Sequence, residues 1–131
     1  MDDFILLCNS KEIAKDLKIK IQEFVENNLH LNLNKKTNYY PNSMGINFCG
    51  YRIYETHILL RTRSKKKIKK NIKKWNCKYN ENNVDILKVR MQFNSWLAHS
   101  RHANSYKLRK KAFDNILFKD ELLKLNVKIE N

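Results

Sequence analysis

The chain has 131 residues, and its chemistry-bearing side chains fall in a few places. Asp2 and Asp3 stand side by side directly before the apolar run Phe4-Ile5-Leu6-Leu7-Cys8. Two adjacent carboxylates at a strand entrance offer hard oxygen ligands to a divalent cation. His99 and His102 lie three residues apart with Cys77 upstream, a partial zinc set. No Cys-x-x-Cys accompanies them and a fourth ligand is missing, so polar residues touching backbone or nucleic acid fit better. No glycine-rich phosphate loop occurs. The largest chemical feature is cationic. Lys65, Lys66, Lys67, Lys69, Lys70, Lys73 and Lys74 crowd one segment, and Arg101, Lys107, Arg109, Lys110 and Lys111 supply a second patch. Seven lysines so close together cannot all share one helix face, so about half of the first group is expected to reach a polyanion.

The net charge of +14 is unevenly placed. Residues 1–60 balance seven bases against seven acids, whereas residues 61–131 hold 20 bases and six acids. Such asymmetry predicts one neutral module and one that faces a polyanion. With 42% hydrophobic residues the chain is not a disordered tail. No apolar run approaches the ~18 residues of a membrane span. Acids at positions 2 and 3 do not fit a secretory signal, and three scattered cysteines (Cys8, Cys49, Cys77) read as free thiols. A cytoplasmic location is expected.

These residues need elements to position them. Phe4–Cys8 suits a buried strand. Asn9 with Glu12 has the spacing of a capping box. It opens a helix whose core stripe is Ile13, Leu17, Ile21, Phe24 and Val25, ended by Asn27-Asn28. Leu29, Leu31 and Leu33 alternate as in a strand, Lys35–Asn38 reads as a turn, and Tyr39-Tyr40 as a further short strand. Ile46 and Phe48 alternate in one phase, Tyr51 and Ile53 in the other. The slip at Cys49-Gly50 predicts a β-bulge. Tyr54–His57 then turns the chain into Ile58–Arg61, a hairpin. From Arg61 to Trp75 the period is helical, with the narrow stripe Ile68, Ile72 and Trp75 amid nine bases. After a connector at 76–83, Val84, Leu87, Met91 and Ala98 mark a second helix capped by Asn82 or Asn83. A third helix, capped by Asn104 or Ser105, has the stripe Leu108, Ala112, Phe113, Ile116 and Leu117. Trp75 and Trp96 are expected to pack the bundle. The fold class is α+β, with a small antiparallel sheet unit over residues 1–61 and a basic helical unit over 62–131.

Met-Asp-Asp-Phe-Ile-Leu-Leu at the start resembles the end of the Tyr-x-Asp-Asp box of reverse transcriptases. Leu31-Asn32-Leu33-Asn34-Lys35-Lys36-Thr37 resembles that family's Leu-x-Leu-x-x-Lys-Thr segment. Ile46-Asn47-Phe48-Cys49-Gly50-Tyr51-Arg52-Ile53 resembles its Phe-Leu-Gly-Tyr hairpin, the primer grip, with Cys49 where Leu is usual. Ser95-Trp96-Leu97-Ala98-His99-Ser100-Arg101-His102-Ala103-Asn104-Ser105-Tyr106 is similar to the thumb of retroelement enzymes, most of all those of diversity-generating retroelements, with group II intron and retron enzymes close behind.

The resemblance implies the end of a polymerase palm over 1–61 and a thumb over 62–131. The preceding Tyr, the fingers and the palm strand with the third metal-binding aspartate fall outside the sequence, as in a fragment, an internal start or a decayed copy. It implies RNA-directed DNA synthesis, joining a primer 3′-hydroxyl to a deoxynucleoside triphosphate on an RNA template with two Mg2+ ions. Asp2 and Asp3 would be metal ligands and catalytic acids, and Lys36 would neutralise departing pyrophosphate. Phe48, Gly50 and Tyr51 would place the primer terminus. The lysines at 65–74 with Arg101, Lys107 and Arg109 would hold template and primer. A small basic accessory protein is the implied protein partner, and no membrane is. The chain alone is expected to be inactive. The alternative is a non-catalytic RNA- or DNA-binding module derived from a polymerase thumb.

Overall fold

The computed structural model describes residues 4–130. It is an α+β chain, mostly helical, with one three-stranded antiparallel sheet among five helices. Two compact units divide it, residues 1–44 and 45–131.

In the first unit the one long element is α1 (Lys11–Leu29). Its N-cap is Ser10, one residue later than the expected Asn9, and the Ser10 hydroxyl accepts from the Ile13 amide at 3.2 Å. Glu12 sits in the first turn. The hydrogen bond from its own amide, then that from Ser10, holds its carboxyl below the ordinary range. The expected core stripe of α1 is not a core, because no residue of this helix is buried. The strands expected at Phe4–Cys8, Leu29–Leu33 and Tyr39-Tyr40 do not form either. A strand needs a partner for its backbone groups, and Leu7 is 79% exposed. The turn at Lys35-Lys36 is present, with the Lys36 amide donating to Asn34 Oδ1 at 3.0 Å. A short 3-10 turn at Asn42–Met44 closes the unit.

In the second unit β1 (Ile46–Phe48), β2 (Tyr51–Ile53) and β3 (Ile58–Leu60) pair in sequence order. The phase slip at Cys49-Gly50 is not a bulge. Phe48 pairs with Tyr51, leaving a two-residue turn with φ of 47° at Cys49 and 89° at Gly50. Two consecutive positive φ values make a type I′ hairpin turn, the form that matches strand twist. A two-residue turn reverses the phase while keeping Ile46, Phe48, Tyr51 and Ile53 on one face, so the sequence signal was real but its cause was different. The second hairpin, through Tyr54–His57, forms as expected, and the Tyr54 amide donates to His57 O at 2.9 Å.

Helices α2 (Thr62–Asn80), α3 (Ile86–Arg101), α4 (Tyr106–Asp114) and α5 (Lys119–Lys124) follow. The α2 stripe Ile68, Ile72 and Trp75 is buried as the spacing predicts. The helix runs on through most of the expected connector. Asp85, not Asn82 or Asn83, caps α3, accepting from the Lys88 amide at 2.9 Å. The buried stripe of α3 is Val89, Phe93, Leu97 and Ser100. The other apolar stripe faces out, with Leu87 60% and Met91 73% exposed. Phe93 decides this choice. It is fully buried and its ring meets Trp75 edge-on at 6.4 Å, Phe113 at 5.9 Å and Trp96 at 5.7 Å. Ala112, Phe113 and Ile116 close the core from the α4 side as expected, whereas Leu117 is exposed. Leu122 and Val127 complete it.

The expected boundary at residue 61 separates segments that the structure joins. The Asn104 amide donates to Ile58 O at 2.8 Å, and Asn104 Oδ1 accepts from the Ile58 amide at 3.2 Å. One residue at the α3–α4 corner thus satisfies both backbone groups of a β3 residue. Ser105 Oγ donates to Ser100 O at 2.6 Å and Ser100 Oγ to Leu97 O at 2.9 Å, tightening the same corner.

Phe93→Ala should therefore destabilise residues 45–131 by about 3–5 kcal/mol, measured by urea denaturation of the whole chain. Leu87→Ala, at an exposed position of the same helix, should change stability by no more than about 0.5 kcal/mol.

Candidate nucleic-acid interface

A groove of about 1040 Å³ runs between α2 and α3 in the second unit. Arg61, Arg63, Lys67, Lys74, Lys78 and Lys88 line it, against a single acid, Asp85. The helical period explains the selection. At 100° per residue, Arg63, Lys67, Asn71, Lys74 and Lys78 fall within about 80° of one another on α2. They flank the buried stripe on one side and span about 22 Å of helix. Lys65, Lys66, Lys69, Lys70 and Lys73 point to the remaining arc and do not line the groove. Of the seven lysines singled out by their density, the groove takes Lys67 and Lys74.

The opposing wall is chemically different. From α3 it receives Lys88, Met91, Gln92, Ser95, Trp96 and His99, so beyond Lys88 no side chain of this wall carries a fixed charge. Trp96 packs on Phe93, yet its indole Nε1 is buried with no hydrogen-bond partner. Gly50 brings the β1–β2 turn to the groove.

Two of the three residues expected to place a primer terminus, Gly50 and Tyr51, meet His99 at that end. The Tyr51 hydroxyl lies 2.8 Å from His99 O and 3.0 Å from His99 Nδ1, and the two rings stack at 4.6 Å. A hydroxyl has one proton and a carbonyl only accepts, so Tyr51 donates to His99 O and accepts from Nδ1–H. Burial, and secondarily the Cys49 thiol, pushes the Tyr51 phenol above its ordinary value. A Cβ on Gly50 would lie 3.0 Å from His99 Cε1 and 3.2 Å from Nε2. Glycine is required there both for its φ and for this close approach. Phe48 closes the turn opposite Tyr51, half-buried.

The other expected site residues lie elsewhere. Arg109 is only 4% exposed and packs into the α4 side of the bundle with its Nε unpartnered. It is therefore not a surface phosphate contact, because burying the guanidinium removes it from reach. Arg101 is turned to Glu130 at 3.1 Å. Lys107 is exposed on α4, beside Lys110 and Lys111. Lys36 is exposed in the first unit. Asp2 and Asp3 lie outside the described residues, and among the described residues no group of three His, Cys, Asp or Glu side chains could hold a metal ion. Cys77 donates its thiol to Glu81 at 3.3 Å, and that hydrogen bond, with the carboxylate's charge, raises the thiol's pKa.

Sequence reasoning passed over Arg61, Arg63, Lys78 and Lys88, and it read Trp96 as packing alone. The signal was available for α2. It was the i, i+4, i+11, i+15 spacing of the four bases relative to the Ile68–Ile72–Trp75 stripe, rather than local lysine density.

No protein-family model, curated protein or solved structure matches this chain. The functional reading therefore rests on the groove and on the motifs. No helix among the described residues is long and apolar enough to cross a membrane.

Tyr51 and Tyr79 both hold their phenol protons more tightly than a free tyrosine does, Tyr79 through its hydrogen bond to Glu121. A raised folded-state pKa on an acid means the unfolded chain releases its proton first. Stability from this source is complete below about pH 10 and falls as pH rises through the folded-state values. Tyr51→Phe should flatten this alkaline decline in part, leaving the Tyr79 share, as read from urea midpoints between about pH 9 and about pH 11. Gly50→Ala should lower stability by at least about 1 kcal/mol in the same assay.

Proposed function

We propose that this chain is the palm-end and thumb portion of a retroelement reverse transcriptase, and that residues 45–131 grip the nucleic-acid backbone in the groove between α2 and α3. The observation that carries the reading is the lining of that groove, six cations against one acid, with five of the six on or beside α2 and only Lys88 on the α3 wall. Phosphate contacts are sequence-independent. A polymerase must hold every template–primer equally, so a cationic wall without base-reading side chains suits the task. The α3 wall beyond Lys88, with Gln92, Ser95 and the exposed Met91, suits sugar and base edges once α2 has fixed the backbone.

The Tyr51–His99 contact supports the same reading. It ties the hairpin that resembles a primer grip to the helix that resembles a thumb, so that the groove and the 49–50 turn keep one geometry. In this reading Asp2 and Asp3 would supply oxygen ligands to Mg2+, which stabilises charge on the attacking and leaving oxygens. Lys36 would face the departing pyrophosphate of the deoxynucleotide.

A second reading is favoured by one feature. Every groove residue lies within 45–131 and none is a carboxylate other than Asp85, so binding needs neither the acids at 2 and 3 nor a metal. This is the non-catalytic binding module.

Binding of a labelled RNA–DNA duplex, followed by fluorescence anisotropy, tests the groove. With about five phosphates engaged, log K should fall with log salt at a slope of about −4.5. Lys67→Ala with Lys74→Ala should reduce that slope by about 2 and weaken binding about tenfold or more at low salt. Lys66→Ala with Lys69→Ala, on the other side of α2, should stay within about twofold of the parent. Equal losses in both pairs would overturn the groove assignment. To separate enzyme from module, a second polypeptide carrying the family's fingers and upstream palm is added. Primer extension that Asp2→Ala abolishes supports the polymerase, and binding without extension supports the module.

A further inference from the structure

We propose that His99 is a phosphate-binding residue whose contact is made by its protonated form, at the end of the groove beside Gly50. The inference rests on the reading of the groove as a nucleic-acid interface, and it adds which atom of His99 makes the contact and in which protonation state.

Tyr51 gives its single hydroxyl proton to His99 O and so must receive one from Nδ1. The neutral imidazole is thereby fixed in the Nδ1–H tautomer, with a bare lone pair at Nε2. Nε2 and Cε1 form the edge that abuts Gly50, and both residues line the groove. Among the described residues Nε2 has no hydrogen-bond partner. Protonation therefore leaves the Tyr51 bond intact and changes one thing, the appearance of an N–H and a positive charge on the groove side.

The surroundings decide what that charge can meet. From the hairpin, the Tyr51 hydroxyl meets the ring, and the Cys49 thiol acts on that phenol. From α2, Arg61, Arg63 and Lys67 share the groove. Along α3, Arg101 and His102 follow His99, and Arg101 is engaged by Glu130. The one acid of the groove, Asp85, lies fourteen residues earlier, about 21 Å along the helix. No carboxylate of the groove stands ready to pair with an imidazolium. A phosphodiester entering the groove would be its partner, accepting a charge-assisted hydrogen bond from Nε2–H. Proton uptake and ligand binding then favour one another by the same factor.

The test is duplex binding by anisotropy at fixed ionic strength, from about pH 8 to about pH 5.5, spanning the range where imidazoles titrate. The affinity of the parent chain should rise about threefold to tenfold more than that of His99→Gln, whose side-chain amide does not gain a proton over this range. His102→Gln should keep the parent's pH dependence. A parallel measurement on the unmodified chain covers the case in which His99→Gln does not fold. Imidazole 15N shifts should report Nδ1–H in the free chain and a new proton at Nε2 when duplex is added at constant pH. An Nε2–H tautomer in the free chain would overturn the proposal. So would equal pH dependence in His99→Gln and parent, and the groove would remain a nucleic-acid site. Absence of duplex binding at every pH would remove both the groove reading and this contact.

Discussion

The second unit depends on how a three-stranded sheet too small to hold itself is fixed to a helical bundle. Three strands of three residues each leave the outer edges of β1 and β3 unpaired within the sheet, and an isolated sheet of that size has little stability. Two contacts resolve this. Asn104 fills both hydrogen-bonding positions of Ile58. Tyr51 locks its hydroxyl between the carbonyl and the ring nitrogen of one histidine. With Leu60 buried beneath, the hairpins become a layer of the bundle rather than an appendage. The position of Gly50 at the groove follows from that docking.

Each long helix of the bundle carries two different jobs on neighbouring arcs. On α2 the stripe Ile68–Ile72–Trp75 builds the core, and the adjacent stripe from Arg63 to Lys78 builds a wall. On α3 Val89, Phe93 and Leu97 are buried while Gln92, Ser95 and His99 face the groove. Because core and wall share a helix, the spacing of groove charges is set by the packing of Phe93 against Trp75 and Phe113. A rigid interior of this kind holds the cations apart without any acid between them.

Much of this was legible in the sequence, for reasons that differ by element. The α2 stripe and the Tyr54–His57 hairpin have strong periods and few competitors. For α3 two apolar stripes compete, and composition favours neither. Only the fit of an aromatic ring among Trp75, Trp96 and Phe113 selects the one containing Phe93. The Cys49-Gly50 slip carried the right location and the wrong cause, since a bulge and a tight reversal both shift a period of two. Lysine density marked the helix that lines the groove but not which of its faces does so. Arg109 looked like a surface cation because sequence spacing cannot show that its side chain is covered. The apolar residues of Phe4–Cys8 and α1 had core-like patterns, but a pattern states what a segment can bury and not what is there to bury it.

The crowding of α2 has one more consequence. Its first turn holds no acid, its N-cap makes no side-chain bond, and its cations repeat at spacings where like charges repel. The helix is held by its apolar stripe against its own electrostatics. Dissolved ions that screen this repulsion tighten the fold, yet the same ions compete with any polyanion for the groove. Folding and grip thus answer to ionic strength with opposite signs. A phosphate backbone bound there would do locally what bulk salt does diffusely, serving as the counter-charge that the helix itself does not encode.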